Sequence, residues 1–426
     1  MRGVSRSQRV VRPSLWLGIA LSSGVLLSGC EAGDTAGDTA GGGTAGGALG
    51  GVLAGMPNMP PDASGPQVPE GVAQFAVDPF WPQPLPNNWI IGQVAGTSVD
   101  LNDNLWIIHR PHTVQGTNGG STPPQTSRDN VWGTDPLVSL CCTTAPPVIA
   151  FDPEGNVIQA WGGDSPTGEY VWFNSEHGIT ADHNGFIWVA GNGTDDHHMM
   201  KFTQEGELVL QIGAVGMNEG SNDTDSVNRA SVMEVDPTTN EIFVADGYGA
   251  RRLSVWNAET GEYLRHWGAY GEAPVDENPG PYDPNAPPAR TWRTPVHGVA
   301  ISNDGLVYVT DRPSNRIQVF QKDGTFVQEA ILAPDTYGPG STWEVEFDPL
   351  DTEQRFIYVP DGTNNKVWTL DRQTLEVVYS WGRGRIQPGQ FDWLHYMAFD
   401  SQGNMYTGEV SSGHRVQKFI RLNGGT

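Results

Sequence analysis

The stretch Val296-His297-Gly298-Val299-Ala300-Ile301-Ser302-Asn303-Asp304-Gly305-Leu306-Val307-Tyr308-Val309-Thr310-Asp311-Arg312 decides the fold. Residues alternate in character over 298–302, Asn303-Asp304-Gly305 turns the chain, and alternation resumes over 306–310. Period-two alternation on both sides of a glycine turn is the pattern of an antiparallel hairpin. The unit recurs at 178–182 with 186–190, at 232–236 with 242–245, at 344–348 with 356–359 and at 396–400 with 404–407. A degenerate copy runs over 96–100 and 104–108, and outer strands ending in Trp are read at 157–161, 261–267 and 377–381. Four-stranded units returning at this interval predict an all-β, six-bladed β-propeller, with a strand near 72–77 closing the ring against the last blade.

Placing the copies on the residue five positions before the Asp that ends the first strand, or its equivalent, gives Ala95, His177, Ser231, His297, Trp343 and His395. Histidine thus falls in the second, fourth and sixth copies. Alternate blades of a six-fold ring are about 120° apart, so the three imidazoles are expected at the corners of a triangle around the tunnel axis. Singly, each could merely cap a turn; together they predict one shared metal, Zn²⁺, with a fourth position free for chemistry. Arg110 and Arg312 both lie 15 residues after the register position of their blades, and Tyr248 lies 17 after Ser231. Two guanidiniums at one level suit a carboxylate, and a phenol beside a metal suits a general base. Nearby Arg252 and Arg316 are expected to make salt bridges between blades, and His109 is expected to face away from the tunnel.

Around this core the ends of the chain differ in composition. Arg2, Arg6, Arg9 and Arg12 precede an apolar run over 15–27, which is followed by Leu27-Ser28-Gly29-Cys30. The run is too short to span a membrane and has the layout of an export signal. It resembles the bacterial lipoprotein signal, which implies a leader over 1–29 and diacylation of Cys30. Glu31 at the next position favours the outer membrane, facing the periplasm. The segment 30–70 is dominated by Gly, Ala, Thr, Asp and Pro and reads as a flexible, lipid-anchored linker, leaving the propeller at 71–426. The chain carries 15 Trp, 11 Tyr and 14 Phe, nearly all after residue 70, enough for a large core. Its formal net charge of −25 disfavours nucleic acid as a partner. Beyond Cys30 there are only the adjacent Cys141 and Cys142, read as two buried thiols because a disulfide between neighbours requires a strained ring. Two insertions rich in Pro, Asp, Asn, Ser and Thr are read at 113–142 and 274–293.

The motifs Leu105-Trp106-Ile107-Ile108-His109-Arg110, Glu176-His177-Gly178, Asp246-Gly247-Tyr248, Val296-His297-Gly298, Asp311-Arg312 and Leu394-His395 resemble those of the NHL-repeat propellers. Within that group they are most similar to the peptidyl-α-hydroxyglycine α-amidating lyases. The resemblance implies zinc on His177, His297 and His395, a catalytic Tyr248, and Arg110 and Arg312 as substrate-binding arginines. It also implies a small acidic α-hydroxy substrate, or a peptide carrying that group, cleaved to an amide and glyoxylate. Two positions depart from the family. Tyr396 stands where the family places the aspartate of a structural Ca²⁺ site, making calcium doubtful, and Gly249 replaces a half-cystine after the catalytic tyrosine. No stretch of these residues resembles the glycine-hydroxylating domain that accompanies the lyase in animals. A monomer is expected. The competing reading is a non-catalytic propeller that binds a protein or polymer through its loops, with the metal as a brace. Lactone hydrolysis by a calcium propeller is disfavoured, since such sites are built mainly from carboxylates and Asn.

Overall fold

The computed structural model describes residues 67–114 and 142–422. Cys30, Cys141, the leader and most of the linker lie outside the described residues. Five four-stranded or near-complete sheets follow one another along the chain, and a sixth is made from both ends of the described region. The first blade comprises Gln93–Val99, Leu105–Arg110, Val148–Phe151 and Val157–Trp161. The second to fourth begin with the inner strands Glu176–Ala181, Met233–Asp236 and Val296–Ile301. In the fifth, the inner strand is reduced to a bridge between Glu346 and Tyr358, inside the strands Phe356–Asp361, Lys366–Asp371 and Val377–Trp381. The sixth blade joins Leu394–Phe399, Met405–Glu409 and Arg415–Leu422 to Gln74–Asp78, with Gln74 opposite Leu422 and Asp78 opposite Lys418. The expected closing strand is therefore present, and the ring is six-bladed.

The middle strands are apolar on both faces because each blade is packed between two others. In the third blade Phe243 and Ala245 enter the apolar cluster shared with the fourth, and Ile242 and Val244 enter the one shared with the second. Six such clusters occupy the six interfaces between neighbouring blades. The repeated aspartate has a local task as well. Asp182 accepts the backbone N–H groups of Asn184 and Phe186 in the turn at 2.8 and 3.0 Å, and its other oxygen accepts Trp188 Nε1 at 3.0 Å. Asp100 with Trp106 repeats the arrangement, and Asp400 with Tyr406 varies it. One carboxylate thus fixes both the hairpin turn and the aromatic ring of the next strand.

Two expectations are corrected. Arg252 and Arg316 do not bridge blades: each lies opposite an Asp of its own hairpin, and Arg252–Asp246 and Arg316–Asp311 are both 2.8 Å apart and buried. Cross-strand pairing brings those partners closer than any neighbouring blade can. Other guanidinium donors reach the preceding loops, Arg252 to the carbonyl of Ser226 and Arg316 to that of Ala289. Cys142 is half-buried and disulfide-bonded rather than a buried thiol. The two insertions also differ in kind, since the first interrupts the first blade between its second and third strands, whereas the second joins two blades.

Candidate metal centre

His177, His297 and His395 each occupy a β-bulge, where pairing with the second strand slips by one residue. Ala95 sits on the matching bulge of the first blade. A bulged residue is released from the ladder and re-aimed, and here that turns the imidazole into the tunnel. The glycine that follows His177 and His297 has a steric reason. A Cβ on Gly178 would stand 2.4 Å from the Ser231 carbonyl oxygen, and one on Gly298 would stand 2.8 Å from Glu344 Cα. The neighbouring blade can approach only if these positions stay bare.

That approach orients the ring. His177 Nδ1 donates to the Ser231 carbonyl at 2.8 Å, His297 Nδ1 to Trp343 at 2.6 Å and His395 Nδ1 to Ala95 at 2.9 Å. A carbonyl only accepts, so each Nδ1 carries the hydrogen and each Nε2 keeps its lone pair. The three blades without a histidine thus supply the carbonyls that orient the three with one. Burial, reinforced by neighbouring guanidinium and imidazole charges, holds all three rings well below the usual histidine range, so they are neutral. The three rings offer nitrogen atoms that all lie within 4.8 Å of one another. His297 Nε2 is buried without a hydrogen-bond partner. An orphaned lone pair among neutral, tautomer-fixed imidazoles is what a zinc site requires, and the residues fit the ion.

The other expected residues converge on the same place. Tyr248 follows the strand Glu241–Asp246, and its hydroxyl lies 2.9 Å from His177 Nε2 and 3.4 Å from Arg312 Nη1. Arg312 stacks over Trp343 at 4.3 Å, with its Nε unpartnered, so several of its donors remain available. Arg110 is braced by the Glu176 carbonyl and by Gln93 Oε1, both at 2.9 Å. An open cavity of about 300 Å³ is lined by Arg110, Arg312, Tyr248, His395, Gln93 and Asn192, together with the apolar Trp343, Trp393, Pro339 and Val410. His109 is buried and bonded to Pro146 and Gly92, outside that lining.

Tyr396 packs under the histidine layer. Its ring stacks on His297 at 5.3 Å and 18°, and its hydroxyl donates to the His297 carbonyl at 3.1 Å. Burial pushes the phenol well above its usual range, so it remains a neutral donor and offers no anionic ligand. Sequence reasoning missed Gln93, Asn192 and Trp393, which sit in loops or on strand ends without a repeat signature, and it registered Trp343 as the fifth copy's position without reading it as part of the cavity lining. It also missed Glu234 and Glu346, although both stand three places after a register residue and the same registration would have exposed them.

The NHL repeat family profile matches residues 296–320, the first three strands of the fourth blade. Peptidyl-glycine alpha-amidating monooxygenase B of Xenopus laevis is 28% identical over 342 residues, covering 78% of this chain and 34% of that protein. The peptidyl-glycine alpha-amidating monooxygenase of Mus musculus is 27% identical over 370 residues, covering 83% of this chain and 33% of that one. NHL repeat-containing protein 3 of Homo sapiens is 25% identical over 293 residues, covering 65% and 74%. The chain spans about a third of the length of the amidating monooxygenases it matches.

Proposed function

We propose that this propeller is a zinc-dependent carbon–nitrogen lyase that cleaves an N-acyl-α-hydroxyglycine to an amide and glyoxylate. The observation that carries the reading is the convergence of His395, Tyr248, Arg110 and Arg312 on one open cavity, with His177 and His297 grouped beside His395. Similarity to proteins named as alpha-amidating monooxygenases supports it. Zinc on His177, His297 and His395 would supply Lewis acidity at the substrate hydroxyl. Arg110 and Arg312 hold the substrate carboxylate, Arg312 with donors it does not spend on the protein. Tyr248, entering the step as its phenolate, takes the hydroxyl proton as that oxygen forms the aldehyde C=O of glyoxylate. The C–N bond breaks with its electron pair going to nitrogen, which receives that proton back from Tyr248 to become the amide, and the phenolate is restored. No water is consumed, so the step is an elimination.

Purified protein is expected to hold about one zinc per chain and to release glyoxylate from a simple N-acyl-α-hydroxyglycine. Metal without glyoxylate release would sink the lyase and leave a metal-braced binding scaffold. The reading includes anchoring through lipid on Cys30 at the outer membrane, based on the basic, apolar and small-residue segments before that cysteine. Cys30→Ser should move the protein from the membrane to the soluble fraction, and unchanged retention would refute the anchor.

A further inference from the structure

The apolar part of the cavity lining is formed by Trp343, Trp393, Pro339 and Val410. Trp343 belongs to the scaffold: it is buried, and a Cβ on Gly362 would meet its ring at 2.9 Å. Trp393 differs. It is half-buried, its ring lies 5.9 Å from that of Trp343 at 60°, and its backbone stands at φ 57, in the left-handed region. A bulky side chain is rarely found there, and such a residue persists only where its surroundings fix it. Here they do: its N–H donates to Asn365 Oδ1 at 2.8 Å, and its carbonyl accepts the Val410 N–H at 3.1 Å. Glycine would meet these backbone demands without strain. An indole in this position, at the edge of an open cavity two residues before His395, points to a task for the ring itself.

The cavity is divided by chemistry. Arg110, Arg312, Tyr248, Gln93 and Asn192 supply its polar and cationic lining, and the two indoles, Trp343 stacked on Arg312 and Trp393 next to it, supply its apolar lining. An N-acyl-α-hydroxyglycine is divided in the same way, with its carboxylate and acyl group on opposite sides of the carbinol carbon. Once the acid end is held by the arginines, the acyl group extends toward the indoles. We propose that Trp393 is a specificity-determining residue that selects substrates whose N-acyl group is a compact aromatic or apolar unit. The inference rests on the lyase reading for its substrate class. A cavity of about 300 Å³ is at the small end for ligand sites and suits one ring beyond the glycine unit.

The test compares glyoxylate release from N-benzoyl-α-hydroxyglycine and N-acetyl-α-hydroxyglycine by the zinc-loaded full chain, Trp393→Gly and Trp393→Phe, with zinc content measured for each. The wild type should prefer the benzoyl substrate by about 10-fold or more in kcat/KM. Trp393→Gly, which the left-handed backbone accommodates, should bring that ratio to within about threefold of unity through KM, and Trp393→Phe should restore most of it. A wild-type ratio near one, or a ratio unchanged in Trp393→Gly, overturns the proposal. Calorimetric binding of N-benzoylglycine and N-acetylglycine, which lack the hydroxyl and cannot be cleaved, separates this inference from the reaction. If the wild type cleaves neither substrate, the lyase reading fails; a benzoyl preference in binding that depends on Trp393 then sustains the aromatic wall, and no such preference removes it.

Discussion

The two ends of the tunnel are built from the same six inner strands and treat buried polar groups in opposite ways. At the mouth, burial keeps three imidazoles neutral, and each Nδ1–H is bonded to a neighbouring carbonyl so that the lone pair stays on Nε2. At the far end Glu234, Glu344 and Glu346 line a cavity of about 190 Å³ with no lysine or arginine among its lining residues. Burial pushes Glu234 up to about 7 and drives Glu344 and Glu346 well above the carboxylate range. Burial is the leading cause at both ends and favours the neutral form of each group; for an imidazole that means a lowered pKa and for a carboxyl a raised one.

The difference gives the two ends opposite effects on stability. Histidines whose folded pKa is depressed bind fewer protons than in the unfolded chain, so the metal-free fold loses stability as pH falls below the ordinary histidine value. Glutamates whose folded pKa is raised bind more protons than in the unfolded chain, so stability is lost as pH rises from the ordinary carboxylate value toward about 7. The mouth penalises acid, and the far end penalises base.

The comparison breaks most visibly at the metal. His177→Ala, His297→Ala or His395→Ala is expected to take zinc from about one per chain to near zero and to abolish glyoxylate release, whereas Glu346→Gln should retain the metal. Equal zinc loss from Glu346→Gln, measured by elemental analysis, would mean that the two ends form one site. Next in size, Tyr248→Phe should lower kcat by about 10²-fold or more with zinc content retained, since only the proton acceptor is removed. A rate within twofold of wild type would assign proton transfer elsewhere. Gly178→Ala should cost roughly 1–3 kcal/mol in denaturant unfolding, because the new methyl collides with the Ser231 carbonyl that orients His177. Zinc affinity should fall with it; a stable variant with weakened zinc would isolate orientation from packing. The smallest effect belongs to the far end. Glu234→Gln should raise stability at pH 8 by on the order of 1–3 kcal/mol and change little at pH 4.5, where the carboxyl is already protonated in the folded state. A gain of equal size at both pH values would show that packing, and not ionisation, sets the penalty.

Much of this was readable from the sequence, for a reason that also marks the limit. Repeats convert distance along the chain into position around an axis, so His177, His297 and His395 could be brought together although no short motif joins them. The same registration placed Arg110 and Arg312 at one level. What it could not show were the bulges, because a slip in pairing depends on the partner strand and leaves no trace in alternation. Arg252 and Arg316 were assigned to the wrong partners for a related reason: their neighbours across the hairpin become visible only when the register is known. Trp393 was invisible because it follows an irregular loop, and its backbone is fixed by Asn365 and Val410 from the neighbouring segments. Tyr396 was noticed only for what it replaced. Its hydrogen bond to the His297 carbonyl belongs to the closed ring.

The hydrogen bond from His395 to Ala95 joins residues 300 apart in sequence. Contacts of such range carry a high loop-closure cost and form late, after the blades between them have assembled. The orienting carbonyl for the last histidine therefore arrives only when the first and last blades meet. A partly assembled chain can present at most two oriented imidazoles, a poor trap for the ion. Zinc on all three rings would reward closure after it has happened, acting as a latch that slows reopening and leaves the rate of assembly almost untouched.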